Sequence, residues 1–258
     1  MRGWALVAAL FVLCQGSTAF AWTNTSDTRI ASRAARLAPP DLRLLLDKYE
    51  ADFNRGMKRA SRSEDLGHLY IVERDRGGLK KAIDAEIAKA ITLMRKDRQI
   101  RAFVERLGVI AHLMTDANNP FHVSDSDPRL RNVQTDFEKY FERRMESFPA
   151  VFYGLTINRD VPGYVDGVVD RTASFYPLLS EEYFRGGQRR SSRDFDDRST
   201  AYGVASIAYS RSVTDIVNVY YYIWREAGGD VRTASVLRKG NLLINEPSSQ
   251  SRPSLRLE

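Results

Sequence analysis

His112 and Asp116 stand four residues apart and His122 follows six residues later, in the stretch His112-Leu113-Met114-Thr115-Asp116-Ala117-Asn118-Asn119-Pro120-Phe121-His122. Upstream, Phe103, Leu107, Ile110, Ala111 and Met114 recur at helical spacing, so the stretch begins as the end of an amphipathic helix. Residues four apart share a helix face, which stacks the His112 imidazole beside the Asp116 carboxylate. Pro120 ends the helix and leaves His122 on the following turn, placed to fold back over the same end. Gly108, one turn before His112, leaves the backbone open to close approach. Two imidazoles and a carboxylate form a nitrogen and oxygen donor set of the kind that zinc accepts.

The chain has three histidines, and the third, His68, stands in Gly67-His68-Leu69-Tyr70. The surrounding pattern is helical almost throughout. Asp27 is placed to cap a short helix carrying Ile30, Ala34 and Leu37, and Pro40 opens a helix reaching about Lys58. A helix from about Leu79 to Lys96 buries Ile83, Ile87, Ile91 and Met94, and the helix from Ile100 to Ala117 follows it. Further helices are expected at about Asn132 to Ser147, over one or two segments from Val161 to Phe184, and from Ser199 to Arg225. Gln134 and Glu138 form a second polar pair four residues apart. The charged stretch Gly186 to Arg198 reads as a mobile loop. No run alternates as a strand, no glycine-rich phosphate loop occurs, and no unit repeats. The expected class is all-α, a single-domain multi-helix bundle over residues 22–230, with 231–258 as a disordered tail.

Composition narrows the function classes. With 43% hydrophobic residues among 258, the chain can bury a sizeable core. Arg2, the apolar run Trp4 to Leu13 and Ala19-Phe20-Ala21 read as a secretory signal peptide over residues 1–21, too short to be a transmembrane helix. The single cysteine, Cys14, falls within it, so a mature chain has neither disulfides nor thiolate zinc ligands. A secreted or periplasmic location follows. The net charge of +6 suits anionic partners such as phospholipid headgroups or nucleic acid.

These residues resemble the zinc-dependent phospholipase C family and its relatives, the single-strand-specific zinc nucleases. The resemblance runs over about Trp22 to Met145 and is carried by the His112-x-x-x-Asp116-x-x-x-x-x-His122 core, by Asn118-Asn119-Pro120-Phe121-His122, which is closer to the phospholipase branch, and by His68-Leu69-Tyr70. It implies an all-α fold with a three-zinc site. His68, His112 and Asp116 would bind one zinc, with Asp116 bridging to a second held by the terminus of Trp22. His122 and Glu138 would hold a third.

Three ligand positions depart from the family pattern. Asp27 stands where a histidine is expected, and Gln134 stands where the Gln134-x-x-x-Glu138 pair should begin with histidine. The aspartate expected before His68 falls among Asn54, Arg55, Lys58 and Arg59, leaving Asp65 as a substitute at a different spacing. Asp27 remains able to ligate, and the expected cluster holds one to three zinc ions, with fewer than three favoured. Asp116 and Asp65 are the candidate catalytic carboxylates, and Tyr70 and Phe121 are the candidate substrate-binding rings. The leading reading is a secreted zinc-dependent, phospholipase C-like hydrolase of phosphodiester bonds. One alternative is a catalytically impaired member of the same fold that binds metal or a partner. The other is a zinc nuclease acting on single-stranded nucleic acid, stacking bases on aromatic rings.

Overall fold

The computed structural model describes residues 24–63, 67–156, 159–231 and 242–243. The expected signal peptide, Trp22 and Asp65 lie outside the described residues. The helices, in chain order, are α1 (Asn24–Arg36), α2 (Pro40–Lys48), α3 (Glu50–Ala60), α4 (Leu79–Arg95), α5 (Ile100–Ala117), α6 (Pro120–Val123), α7 (Gln134–Arg144), α8 (Val161–Ala173), α9 (Tyr176–Tyr183) and α10 (Thr200–Glu226). The class is all-α. Among the described residues, extended structure is confined to two antiparallel pairs of two-residue strands, β1 (Tyr70–Ile71) with β2 (Arg76–Gly77) and β3 (Val151–Phe152) with β4 (Leu242–Leu243). The second pair places two residues of the expected disordered tail beside the body of the fold. Among the described residues, no helix is long and apolar enough to cross a membrane.

Helix α5 is the central element. From Leu107 to Ala117 every residue is buried, because other helices enclose it on all sides. Its closest neighbour is α3, and the approach is set by two glycines. A Cβ on Gly108 would overlap the Phe53 carbonyl oxygen, and one on Gly56 would overlap the Glu105 carbonyl oxygen. The open backbone expected at Gly108 therefore admits another helix. Two backbones packed this closely fix the axial position of α5, and so the height at which His112 and Asp116 stand.

The expected helix from Pro40 to Lys58 divides at Tyr49, whose φ of −115° and ψ of 34° leave the α region. The break lets Leu42 and Leu46 of α2, and Phe53 and Met57 of α3, all reach the core. Segment Gly186 to Arg198, expected to be mobile, is fastened down. Ser192 N–H donates to Asp136 at 2.9 Å, Arg190 pairs with Glu182, and Phe195 is buried against Tyr140 and Tyr183. Along α10, Ser210, Thr214 and Asn218 recur every four residues and accept hydrogen bonds from the backbone N–H groups of Val151, Tyr153 and Thr156. That polar row is how a long apolar helix holds an extended segment alongside it.

Candidate metal centre

The C-terminal turn of α5 supplies His112 and Asp116. Asn118 closes the helix by donating from Nδ2 to the Met114 carbonyl at 3.0 Å. Asn119 then starts α6 by accepting from Phe121 N–H at 3.1 Å, with Pro120 in the first helical position, where its missing N–H costs nothing. This two-cap turn brings His122 back over the end of α5. His68 enters from the other side, on the segment leading into β1, where Gly67 lies so close to Gly78 that neither could carry a side chain without displacement.

All three histidine rings meet at the fully buried Asp116. His68 Nδ1 stands 2.8 Å and His112 Nε2 3.6 Å from Asp116 Oδ2, and His122 Nδ1 stands 3.2 Å from Oδ1. The His68 and His112 rings are nearly perpendicular, 5.3 Å apart. The donor atoms of His68, His112 and Asp116 all lie within 4.8 Å of one another. Two ligands of one tetrahedral zinc are about 3.4 Å apart, given bonds of about 2.1 Å; the 2.8 and 3.6 Å separations bracket that value.

What lies behind the rings matters equally. His68 Nε2 contacts the Ser63 carbonyl oxygen at 2.9 Å, and His112 Nδ1 contacts Asp27 Oδ2 at 2.8 Å. Each far nitrogen therefore faces an oxygen acceptor, which fixes its N–H there and turns a lone pair toward Asp116. Two lone pairs aimed at a carboxylate are repulsive unless a cation lies between them. His112 Nε2, buried and without a hydrogen-bond partner, shows the need directly. In a protein without metal, a proton answers it. Burial opposes charge on His112, but Asp116 and Asp27 outweigh burial and raise its pKa to about 9. Burial opposes charge on Asp116, but His112 and His122, with hydrogen bonds from His122 and His68, outweigh it and hold the carboxyl well below the usual range. The donor set, the Ser63 carbonyl and Asp27 acceptors behind the rings, and the orphaned nitrogen all fit a divalent metal ion.

This produces a pH dependence. The His112 pKa is raised on folding, so its proton stabilises the metal-free protein fully below pH about 6.5 and that stabilisation is lost as pH rises through about 9. A metal must displace the same proton. Zinc affinity is therefore expected to climb by up to about tenfold per pH unit between 6.5 and 9, while the melting temperature of the metal-free protein falls. Competition titration against a chromogenic chelator checks the first and calorimetry the second. A pH-independent affinity would contradict the assignment of His112.

The other candidate residues are placed as follows. Asp27, on α1, stands behind His112 and spends both oxygens there, Oδ2 on His112 and Oδ1 accepting from Thr115 Oγ1 at 3.0 Å. It contacts His112 and lies outside the three-donor group of His68, His112 and Asp116. Burial raises its carboxyl, with His112 opposing. Glu138 is buried on α7 and accepts from Gln134 Nε2 at 2.8 Å. Burial pushes its pKa up to about 7 against the pull of Gln134 and His122. His122 Nδ1 also contacts the His68 carbonyl at 3.0 Å, which ties the two motifs together. Tyr70 and Phe121 are both buried. Phe121 packs on Phe137 and Tyr176, and Tyr70 hydrogen-bonds Asp75 beneath Lys80, so neither ring is presented to a ligand.

Sequence reasoning missed Thr115 and the Ser63 carbonyl. Thr115 carried a faint signal as a hydroxyl on an apolar helix face one residue before Asp116. A backbone carbonyl carries none.

No family model and no curated protein sequence matches the chain. Solved structures do. The alpha-toxin of Clostridium perfringens from an avian strain superposes with a TM-score of 0.55 at 13% identity, covering 80% of this chain and 65% of that one. The alpha toxin of Clostridium absonum gives a TM-score of 0.58 at 16% identity, covering 83% of this chain and 65% of the other. The chain thus spans about 65% of the length of each. At such identities the likeness establishes the fold, and the chain has the all-α fold of these Clostridium alpha-toxins.

Proposed function

We propose that this protein is a zinc-dependent hydrolase of phosphodiester bonds, acting on phospholipid headgroups in the manner of zinc-dependent phospholipase C. The observation that carries the reading is the pair of histidine nitrogens, one of them orphaned, turned onto a single buried carboxylate that they can share only with a cation between them. The resemblance of the His112 to His122 motif to the phospholipase branch and the shared alpha-toxin fold support the substrate class. The apolar N-terminal run supports export, and with it an extracellular or periplasmic substrate.

His68, His112 and Asp116 would hold the zinc, with His122 against the other Asp116 oxygen. Bound there, zinc supplies Lewis acidity toward phosphoryl oxygens and activates water at neutral pH. The chain's own groups do the rest. Asp27 holds His112 in the tautomer whose Nε2 is free, and the Ser63 carbonyl does the same for His68 Nδ1. Glu138, poised near neutrality beside His122, holds or gives up a proton within the working pH range. Fewer than three ions remain the expectation, because Gln134 occupies Glu138 with an amide where a second imidazole would bind metal.

Incubation of the chelated protein with a short-chain phosphatidylcholine should give no product, and added zinc should restore cleavage. Single-stranded DNA run in parallel tests the nuclease alternative, to which the buried Tyr70 and Phe121 offer no stacking platform. Absence of turnover on the lipid at saturating zinc overturns the proposal. One observation favours the second reading, a metal that braces helices without turnover: His68 stands 48 residues before Asp116 on a separate segment, so an ion between them would clamp the two segments together. Tight zinc binding with no turnover on either substrate would establish it.

A further inference from the structure

Beside the metal centre lies a cavity of about 230 Å³ lined by Asp27, Thr28, Asn54, Met57, Lys58 and His112. It shares two residues with the centre, and its other walls belong to α1 and α3. Asn54 and Lys58 are four residues apart on α3 and so project from one face. Both are exposed, as is Thr28, so the cavity is reached from solvent.

The cations of α3 are not equivalent. Arg55 donates to Glu105 at 3.1 Å and pairs with Asp52, and Arg59 donates to Glu105 at 2.6 Å, so both guanidiniums are matched by carboxylates. Lys58 lies between them in sequence but lines the cavity, and its ammonium has no carboxylate partner among the described residues. The one acid in the wall, Asp27, has both oxygens committed to His112 and Thr115. The cavity therefore offers an unmatched cation, an amide and a hydroxyl-bearing residue, with a single apolar side chain, Met57. A water molecule occupies about 30 Å³ in the liquid, so the space accommodates a small anionic group. One cation and contiguity with the candidate metal centre together favour a phosphoryl group.

We propose that this cavity is a phosphoryl subsite, in which Lys58 Nζ pairs with an anionic phosphoryl oxygen that would otherwise require a further metal ion. The proposal rests on the phosphodiesterase reading and gives the altered Asn54–Arg59 region a purpose: a lysine there repels a cation and attracts the substrate. The ammonium contributes charge without coordination, so the centre works with fewer ions.

The test is calorimetric titration of the zinc-loaded full chain with inorganic phosphate and, separately, with glycerophosphocholine, for wild type, Lys58→Gln and Lys58→Arg. Lys58 is exposed on α3, so both variants should fold, which a zinc stoichiometry equal to wild type verifies. Lys58→Gln should weaken binding by about tenfold, equivalent to about 1.4 kcal/mol, and Lys58→Arg should keep it within about threefold of wild type. Lysine-dependent binding of the headgroup ester identifies a diester as the occupant, and lysine-dependent binding of inorganic phosphate alone identifies the free anion. Either supports the subsite. No binding by the wild type, or equal binding by Lys58→Gln, overturns it. Lysine-dependent phosphate binding in a protein that cleaves no lipid would overturn the phosphodiesterase reading and leave the subsite standing. Unchanged lipid KM in Lys58→Gln would do the reverse.

Discussion

Replacing Asp116 by Asn is expected to remove zinc binding and phosphodiester hydrolysis together. Asp116 is wholly buried, and its carboxylate is the common neighbour of three imidazoles. An amide of the same shape keeps the packing but loses the charge that balances the ion. Removing a group that only hydrogen-bonds to a metal ligand typically costs about 10- to 100-fold in affinity, so loss of a ligand should cost at least about 10²-fold. In the metal-free protein the variant also leaves a protonated His112 with Asp27 alone. Breaking a buried charge pair costs about 3 kcal/mol, and this should appear below pH 9, where His112 carries its proton. Zinc affinity and melting temperature of the variant, each compared with wild type at pH 7, check both parts. A variant that retains wild-type zinc affinity would remove Asp116 from the ligand set.

A comparable effect on stability is expected from a change that touches no donor atom. In Gly108→Ala the new methyl meets the Phe53 carbonyl oxygen, a backbone atom that moves only if α3 moves with it. Overpacking of this kind costs about 3 kcal/mol, a fall in melting temperature of roughly 6 to 12 °C for a chain of this size. Because the same crossing sets the height of His112, zinc affinity should fall as well. Gly203, on α10, has open space where its Cβ would stand, and Gly203→Ala should leave both properties within error or raise stability slightly. Thermal melts of the two variants, with and without zinc, separate helix-packing cost from loss of metal. Equal melting temperatures for Gly108→Ala and wild type would show that α3 and α5 tolerate separation.

Much of this was legible in the sequence because it is local. The spacing from Phe103 to Met114 sets the helix. The four-residue step from His112 to Asp116 sets the shared face, and Asn119-Pro120 writes the turn that returns His122. The relations that complete the centre are long-range and leave no periodic trace. Asp27, legible as a helix cap and as a candidate ligand, stands inside the first turn of α1, which begins at Asn24, and its pairing with His112 emerges only when α1 is laid across α5. Gly108 announced a close approach but could not name Phe53 as what approaches. The Gly186 to Arg198 stretch looked solvated because its arginines dominate. Its anchors are Ser192 and Phe195, whose partners Asp136, Tyr140 and Tyr183 lie on α7 and α9. Arg55, Lys58 and Arg59 are alike on paper, and the position of Glu105 divides them into two matched charges and one with no carboxylate partner among the described residues.

If His68, His112 and Asp116 grip one metal ion, anomalous diffraction at the zinc edge, from crystals of the full chain prepared with zinc, should show a peak bonded to His68 Nδ1, His112 Nε2 and Asp116. Crystals in which that position carries no peak, or in which zinc is held by other residues while His112 still faces Asp116 alone, would contradict it.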